Sequence, residues 1–279
     1  MEFTKMQGAG NDFIVIDNMQ LKIPLEKLPQ MARHLCRRAV SIGGNALMVV
    51  DHPTRGGDFK MRFYNADGSI AEMCGNGARC IARYAYENKL AEDFMKIETE
   101  AGDVLAWRKS KRLYKIKLNS PEVVQLDYPI EVDGIRYECS YIELGNPGIP
   151  HAVVRLDSFQ KIPQEALFEL GRKLRYHEAF PKGANVNFYE LLSEDCILEK
   201  TFERGVEDFT LACGTGSGSV VCALTLQGRV SGKNVRLQVP GGELFVDALL
   251  ENGTVKSLYL TGDTNIVAMG NIVDEDFVI

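Results

Sequence analysis

The sequence predicts an α/β chain of the α+β kind, assembled from two related halves. Three observations carry that expectation. Short apolar runs rich in β-branched residues alternate with segments of helical periodicity. A Cys-Gly-x-Gly tetrad occurs twice, at Cys74 and Cys213, 139 residues apart in a chain of 279. A glycine that opens a strand-like run stands 28 residues beyond each cysteine, in Gly102-Asp103-Val104-Leu105 and Gly241-Gly242-Glu243-Leu244. Equal offsets at half the chain length are the mark of an internal repeat.

The elements follow in order. Phe13 to Asp17 and Ala46 to Val50 are compact apolar runs and read as strands. Between them Leu25, Leu28, Met31 and Leu35 recur at helical spacing, with Arg33 and Arg37 on the outer face. A helix follows Cys74. Arg108 to Lys117, interleaved with Leu113, Tyr114 and Ile116, reads as two strand edges around a turn. Ala166, Leu167, Leu170 and Leu174 mark a second amphipathic helix. Asn187 to Leu192, Leu244 to Leu250 and Ser257 to Thr261 read as strands, each bounded by Gly, Asp or Asn. A helix follows Cys213. Cys80 and Cys222 fall on inward faces of the helices beyond the two tetrads. Cys36, Cys139 and Cys196 are expected in cores.

Composition narrows the function classes. Apolar residues make up 45% and charged residues 25% of the chain, an ordinary globular mix that excludes a disordered or fibrous protein. The net charge is −6, and no long basic stripe is present, so nucleic acid is not an expected partner. No apolar stretch approaches the ~20 residues of a membrane span. Met1 to Asp12 lacks a basic region followed by an apolar run, so no secretory signal is expected. Seven cysteines then read as reduced thiols of a cytoplasmic protein. His34, His52, His151 and His177 show no metal-ligand spacing and no Cys-x-x-Cys occurs, so no metal site is expected. His177 is expected to pack or cap, and His34 and His52 to lie at the surface.

A cysteine at the mouth of a helix meets free N–H groups and the positive end of the helix dipole, which favour its thiolate and lower its pKa. Glycines beside it let the backbone approach a ligand, and the N–H groups cradle an anion such as a carboxylate. Two such cysteines in related halves suit proton transfer next to a carboxylate. One thiolate removes an α-proton and the other thiol returns a proton to the opposite face, so that configuration inverts. The developing charge must be met by preorganised donors in a site closed to water.

The residues at this point resemble the diaminopimelate epimerase family, racemases that use no pyridoxal phosphate. The resemblance covers nearly the whole chain. It runs through Gly8-Ala9-Gly10-Asn11-Asp12-Phe13, Phe63-Tyr64-Asn65-Ala66-Asp67-Gly68-Ser69 and Met73-Cys74-Gly75-Asn76-Gly77-Ala78-Arg79-Cys80. It continues through Gly145-Asn146-Pro147, Ala184-Asn185-Val186-Asn187-Phe188, Glu203-Arg204-Gly205-Val206, Leu211-Ala212-Cys213-Gly214-Thr215-Gly216 and Pro240-Gly241-Gly242. The resemblance implies that Cys74 and Cys213 are the acid/base pair. It implies that Gly75, Asn76, Gly214 and Thr215 hold the reacting α-carboxylate, and that Asn11, Asn65 and Asn185 bind substrate. Arg204 is implied on the distal carboxylate, where a planar guanidinium binds two oxygens at once. Glu203 and His151 are implied to tune the cysteines and orient the substrate amine.

The resemblance and the repeat together imply two pseudo-symmetric lobes. Each is a curved, mostly antiparallel sheet around a central helix, with the active site in the cleft between them. Residues 1–118 plus 264–279 form the expected N-terminal lobe and residues 119–263 the C-terminal lobe. The implied reaction is epimerisation of LL-diaminopimelate to the meso form for lysine and peptidoglycan precursors, with no cofactor. The partner is a small amino-acid substrate, and a homodimer stays open. The alternatives are a racemase of the same family acting on another α-amino acid such as histidine, a dinucleotide oxidoreductase and a non-catalytic amino-acid binding protein. Gly214-x-Gly216-x-Gly218 lacks the Gly-x-Gly-x-x-Gly spacing that the oxidoreductase needs. Two stretches depart from the usual family pattern near expected substrate contacts. Gly148-Ile149-Pro150 separates Pro147 from His151, and Asn45-Ala46 stands where an aspartate is usual.

Overall fold

A computed structural model describes residues 1–71 and 74–273. Met73 of the first tetrad's flank and residues 274–279 of the expected N-terminal lobe lie outside the described residues. The chain divides into two compact units, Met1–Ile116 with Gly262–Ile279, and Lys117–Thr261.

The first unit opens with β1 (Glu2–Gly8) and β2 (Asn11–Asp17), paired antiparallel with Thr4 opposite Val15. Asp17 caps a single turn, α1 (Asn18–Leu21), by accepting from Met19 N–H at 2.9 Å. α2 (Leu28–Leu35) follows. Its buried stripe is Leu28, Met31, Ala32 and Leu35, at the spacing of one helix face, while Arg33 and Arg37 are exposed. β3 (Ala46–Asp51) runs parallel to β2, and β4 (Phe59–Asn65) runs antiparallel to β3. α3 (Gly75–Glu87) leads to β5 (Phe94–Thr99), parallel to β4. β6 (Gly102–Arg108) pairs antiparallel with β5 and with β7 (Leu113–Leu118).

The strands β2 and β3 are buried on both faces, as parallel neighbours usually are. Ile14, Ile16, Leu47 and Val49 meet α2, forming a cluster in which each large side chain contributes about 1.5–3 kcal/mol by leaving water. On the other face Met48 and Phe63 meet α3. α3 touches β1, β2, β3 and β6, strands too far apart for a flat sheet to present to one helix. The sheet therefore bends around α3, and α2 covers its outer side.

The second unit contains β8 (Pro121–Gln125), the small hairpin β9 (Ile130–Val132) and β10 (Ile135–Tyr137), and then β11 (Cys139–Leu144) and β12 (Ile149–Arg155). α4 (Gln164–Arg175) precedes β13 (Asn185–Ser193), β14 (Cys196–Glu203) and the short β15 (Asp208–Phe209). α5 (Gly214–Leu226), β16 (Val235–Val239), β17 (Gly242–Glu251) and β18 (Thr254–Asp263) complete it. β19 (Asn265–Asn271) belongs to the first unit, where it pairs antiparallel with β1.

The two units share one connectivity. In the first, β1 to β6 pair as antiparallel, parallel, antiparallel, parallel, antiparallel. In the second, β11, β12, β13, β14, β16 and β17 pair in the same order of senses. α5 touches β8, β11, β12, β13 and β17, so this sheet also curves around its helix. α4 covers the outer side through Leu167 and Leu174, against Phe188 and Phe202. The repeat shifts by one residue at the hairpin. Gly102 faces Thr99, whereas Gly242, and not Gly241, faces Val239, because the stretch between helix and hairpin is one residue longer in the second unit.

Three expectations need correction. Ala166 is exposed, because the buried face of α4 runs through Leu167, Gly171 and Leu174. Cys196 is half-buried, because it opens β14 at the edge of the core, beside Gln238. His34 is half-buried, short of the fully open surface expected of it. His177 packs on Phe180 and accepts from Ala179 N–H at 3.2 Å.

The third residue of each central helix is a glycine in contact with the sheet. A Cβ on Gly77 would lie 2.9 Å from Phe63 Cε2 and 3.0 Å from Met48 Sδ. Gly77→Val is expected to lower the unfolding free energy by about 1–3 kcal/mol, the range for overpacking a tight core, as read from urea denaturation midpoints.

Candidate active site

The expected site residues divide by unit. Asn11, Asn65, Cys74, Gly75 and Asn76 lie in the first, and His151, Asn185, Glu203, Arg204, Cys213, Gly214 and Thr215 lie in the second.

In the first unit Cys74 is the N-cap of α3, extended at φ −133°, ψ 118°, and half-buried. Its carbonyl accepts from Ala78 N–H at 2.8 Å, closing the first helical turn. The N–H groups ahead of Ala78 have no intrahelical acceptor and form the donor end of the helix. Asn76 is buried, and its Oδ1 accepts from Arg79 Nη2 at 2.8 Å. Arg79 is itself fully buried, and its Nη1 also donates to Gly75 O at 3.3 Å. Its guanidinium interacts electrostatically with Cys74 and Cys80. Asn11 opens β2 opposite Gly8, and a Cβ on Gly8 would touch Asn76 O at 3.3 Å, so Asn11 starts close to the mouth of α3. Asn65 closes β4, and its Nδ2 donates to Ser69 Oγ at 3.0 Å in a turn that Asp67 braces.

In the second unit Cys213 is the N-cap of α5 in the same extended conformation, φ −117°, ψ 105°. Here the thiol is buried, and Thr215 Oγ1 lies 3.5 Å from its Sγ. Burial pushes the Cys213 thiol well above the usual range. The neighbouring Glu203 charge adds to the rise, while the Thr215 hydroxyl and Gly216 N–H pull it back. A helix terminus alone would lower the value, as expected from the sequence. In the folded chain the loss of water outweighs that terminus. Glu203, half-buried at the end of β14, is also pushed up by burial.

Asn185 ties the loops together. Its Oδ1 accepts from Arg204 N–H at 2.8 Å, and its Nδ2 donates to Pro150 O at 3.2 Å, one residue before His151. Both polar atoms of this expected substrate ligand therefore have backbone partners. Arg204 is exposed, and its Nη1 donates to Lys182 O at 3.0 Å. The two departures from the family pattern are accommodated by short contacts. Asn45 Oδ1 accepts from Arg38, which also pairs with Asp12, and a Cβ on Gly148 would strike the Glu143 carboxylate.

His151 is fully buried, its Nδ1 lying 3.2 Å from Asn187 Nδ2. Burial pushes its pKa down to about 3. The Asn187 contact raises it, and the Arg204 charge lowers it further. Sequence reasoning passed over the polar groups beneath it. Asn187, Glu199, Thr201 and Ser217 are all buried. The available signal was alternation along β14, where Ile197, Glu199 and Thr201 share the inward face. Among the described residues no cluster of three His, Cys, Asp or Glu side chains is placed to hold a metal ion. Among them, too, no helix is long and apolar enough to cross a membrane.

His151 yields a stability prediction. An unfolded imidazole takes up its proton near pH 6.5, and the folded one only near pH 3. Between those limits the unfolded state binds more protons, so stability is complete above pH 6.5 and is lost as the pH falls toward 3. Thermal unfolding followed across that window should show the loss, and His151→Asn should flatten it.

The comparisons agree with this architecture. The family described as diaminopimelate epimerase matches residues 3–123 and 144–267. A diaminopimelate epimerase of Aquifex aeolicus is 37% identical over 284 residues, covering 99% of each chain. One of Archaeoglobus fulgidus is 36% identical, covering 96% of this chain and 95% of its own. Among solved structures, a probable proline racemase of Agrobacterium radiobacter superposes with a TM-score of 0.70 at 16% identity, covering 99% of this chain and 94% of its own. A PhzC/PhzF protein of Clostridium difficile gives 0.68 at 15%, covering 98% and 99%. These two share the mixed α/β fold. With a family match across most of its length and relatives above 30% identity over nearly all of it, the chain belongs to the diaminopimelate epimerase family.

Proposed function

We propose that this chain epimerises LL-diaminopimelate to meso-diaminopimelate by a two-thiol mechanism that needs no cofactor, serving lysine and peptidoglycan precursor synthesis in the cytoplasm. The observation that carries the reading is the pairing of chemistry with position. In a member of this family, the repeated tetrads make Cys74 and Cys213 the N-caps of two central helices.

The α-carboxylate of the substrate is bound by the first-turn donors of α3 and α5, around Gly75, Asn76, Gly214 and Thr215. Charge that develops on that carboxylate as the α-proton leaves is met by the same N–H groups, already oriented and needing no reorganisation. Cys213, desolvated and beside Glu203, holds its proton, while Cys74 lies near the buried Arg79 cation. Cys74 therefore acts as the thiolate base toward one stereoisomer. The Cα–H bond breaks as S–H forms on Cys74, and the Cys213 S–H bond breaks as Cα–H forms on the other face. The reverse reaction starts from the exchanged protonation pair.

Asn11 and Asn65 bind the substrate's polar groups, with Asn185 supporting them through its loop contacts. Arg204 binds the distal carboxylate, Glu203 sets the charge around Cys213, and His151 orients the substrate. Cys74→Ala and Cys213→Ala should each lower kcat by about 10²–10⁴-fold, the range for loss of a general acid or base, while substrate still binds. In D₂O the wild-type protein should place deuterium at the α-carbon of product, read by NMR. Near wild-type interconversion in either alanine variant would sink the mechanism. Arg204→Lys should raise KM by roughly tenfold with little change in kcat, because a point charge cannot grip two carboxylate oxygens together.

A further inference from the structure

A continuous chain of buried polar groups runs through the second unit, from β14 to the imidazole of His151. Ser217 Oγ, in the first turns of α5, donates to Glu199 Oε2 at 2.6 Å. Glu199 Oε1 lies 3.5 Å from Thr201 Oγ1. Thr201 Oγ1 is placed to donate to either Asn187 Oδ1, at 3.0 Å, or Glu199 Oε1, and its single hydroxyl proton goes to the nearer acceptor, Asn187. Asn187 Nδ2 lies 3.2 Å from both His151 Nδ1 and Ala152 O and 3.4 Å from Asn185 O, so its two protons go to the nearer pair. Glu199 is 1% exposed, Thr201 3%, and Asn187, Ser217 and His151 0%. His151 Nε2 is buried and has no hydrogen-bond partner among the described residues. Gly216 stacks directly on this chain, since a Cβ there would run into Asn187 Oδ1.

The donors and acceptors permit one consistent direction. An amide N–H₂ only donates, so His151 Nδ1 accepts and the imidazole proton sits on Nε2. Asn187 Oδ1 takes the Thr201 proton. Thr201 Oγ1 is then left as an acceptor facing Glu199 Oε1, which satisfies it only when the carboxyl carries a proton. We propose that Glu199 is a positioning residue: acting as a neutral acid through Thr201 and Asn187, it holds His151 in the tautomer that presents Nε2–H as a buried donor to the bound substrate.

The protonation state fits. Burial raises the Glu199 carboxyl to about 8, against the opposing bond that Ser217 donates. The titratable groups around it are Tyr189, opposite on β13, Glu203 on β14, Cys213 at the mouth of α5 and His151 on β12. α4 packs on the other face of β14 through Phe168 and Phe202. Arg229 donates to Tyr189 Oη, and Arg236 on β16 stands opposite Cys196; among the described residues no cation acts on the Glu199 carboxyl.

The test reads the tautomer and the kinetics separately. Only the kinetic arm rests on the proposed epimerase reading. In ¹⁵N-labelled protein, long-range proton–nitrogen correlations report the tautomer of each of the four histidines, and His151→Gln identifies the relevant signal. Wild type should show Nε2–H at pH 7 and lose that single tautomer as the pH rises through about 8. Glu199→Gln keeps a neutral donor and acceptor. It should keep the tautomer across that range and keep kcat within about threefold. Glu199→Leu and Thr201→Val each cut the chain. Both should mix the tautomers and lower kcat by roughly tenfold, with KM little changed, the size of one lost buried hydrogen bond. Folding of each variant is checked by its unfolding midpoint, and Thr201→Val, nearly isosteric, stands in if Glu199→Leu does not fold. A fixed Nε2–H tautomer in a folded cut variant overturns the proposal. So does Nδ1–H in the wild type. A tautomer that follows Glu199 in a protein inactive on diaminopimelate would instead overturn the epimerase reading and leave the positioning role standing.

Discussion

The fold is organised by a helix whose first turn, lacking a side chain of its own at its third residue, is pressed against side chains of the sheet. A helix N-terminus carries donors that must find acceptors, and burying it is costly unless something anionic or polar arrives. Gly77 and Gly216 allow the approach, one against Phe63 and Met48, the other against Asn187. The sheets then curve around α3 and α5, and the outer helices α2 and α4 cover what would otherwise be a second exposed face. Each cysteine takes its place from this packing, as the last extended residue before the turn begins.

The repeated connectivity does not carry repeated chemistry. Beneath α3 the supporting contacts are apolar, and the polar element is a buried cation, Arg79, tethered to Asn76. Beneath α5 they are polar and acidic, with Glu199, Thr201 and Asn187 under the helix and Glu203 beside the thiol. Identical surroundings would act alike on both thiols, whereas here a buried cation stands near Cys74 and a carboxyl stands beside Cys213.

Much of the architecture could be read without coordinates. The stripes at Leu28, Met31 and Leu35 and at Leu167 and Leu174, and the apolar runs at Phe13 and Ala46, reflect periodicities that local geometry imposes. Ala166 and Cys196 escaped because neither residue type reveals on its own whether a neighbour covers it. The rise in the Cys213 pKa escaped for the same reason. The dipole of a helix terminus is a local property and can be inferred from a motif, but desolvation depends on every element packed around the thiol.

By itself, the order of residues determined the internal repeat, the two cysteines at helix mouths and the family to which they belong, because each is written in contiguous spacing. Tertiary structure decided what stands underneath. Glu199, Thr201, Asn187, Ser217 and His151 come from three strands and a helix and are distant in the chain, and they become one hydrogen-bonded row only when parallel and antiparallel registers bring β12, β13 and β14 together under α5. Partnership among buried polar groups is a property of register and burial, and neither exists until the sheet has closed around its helix.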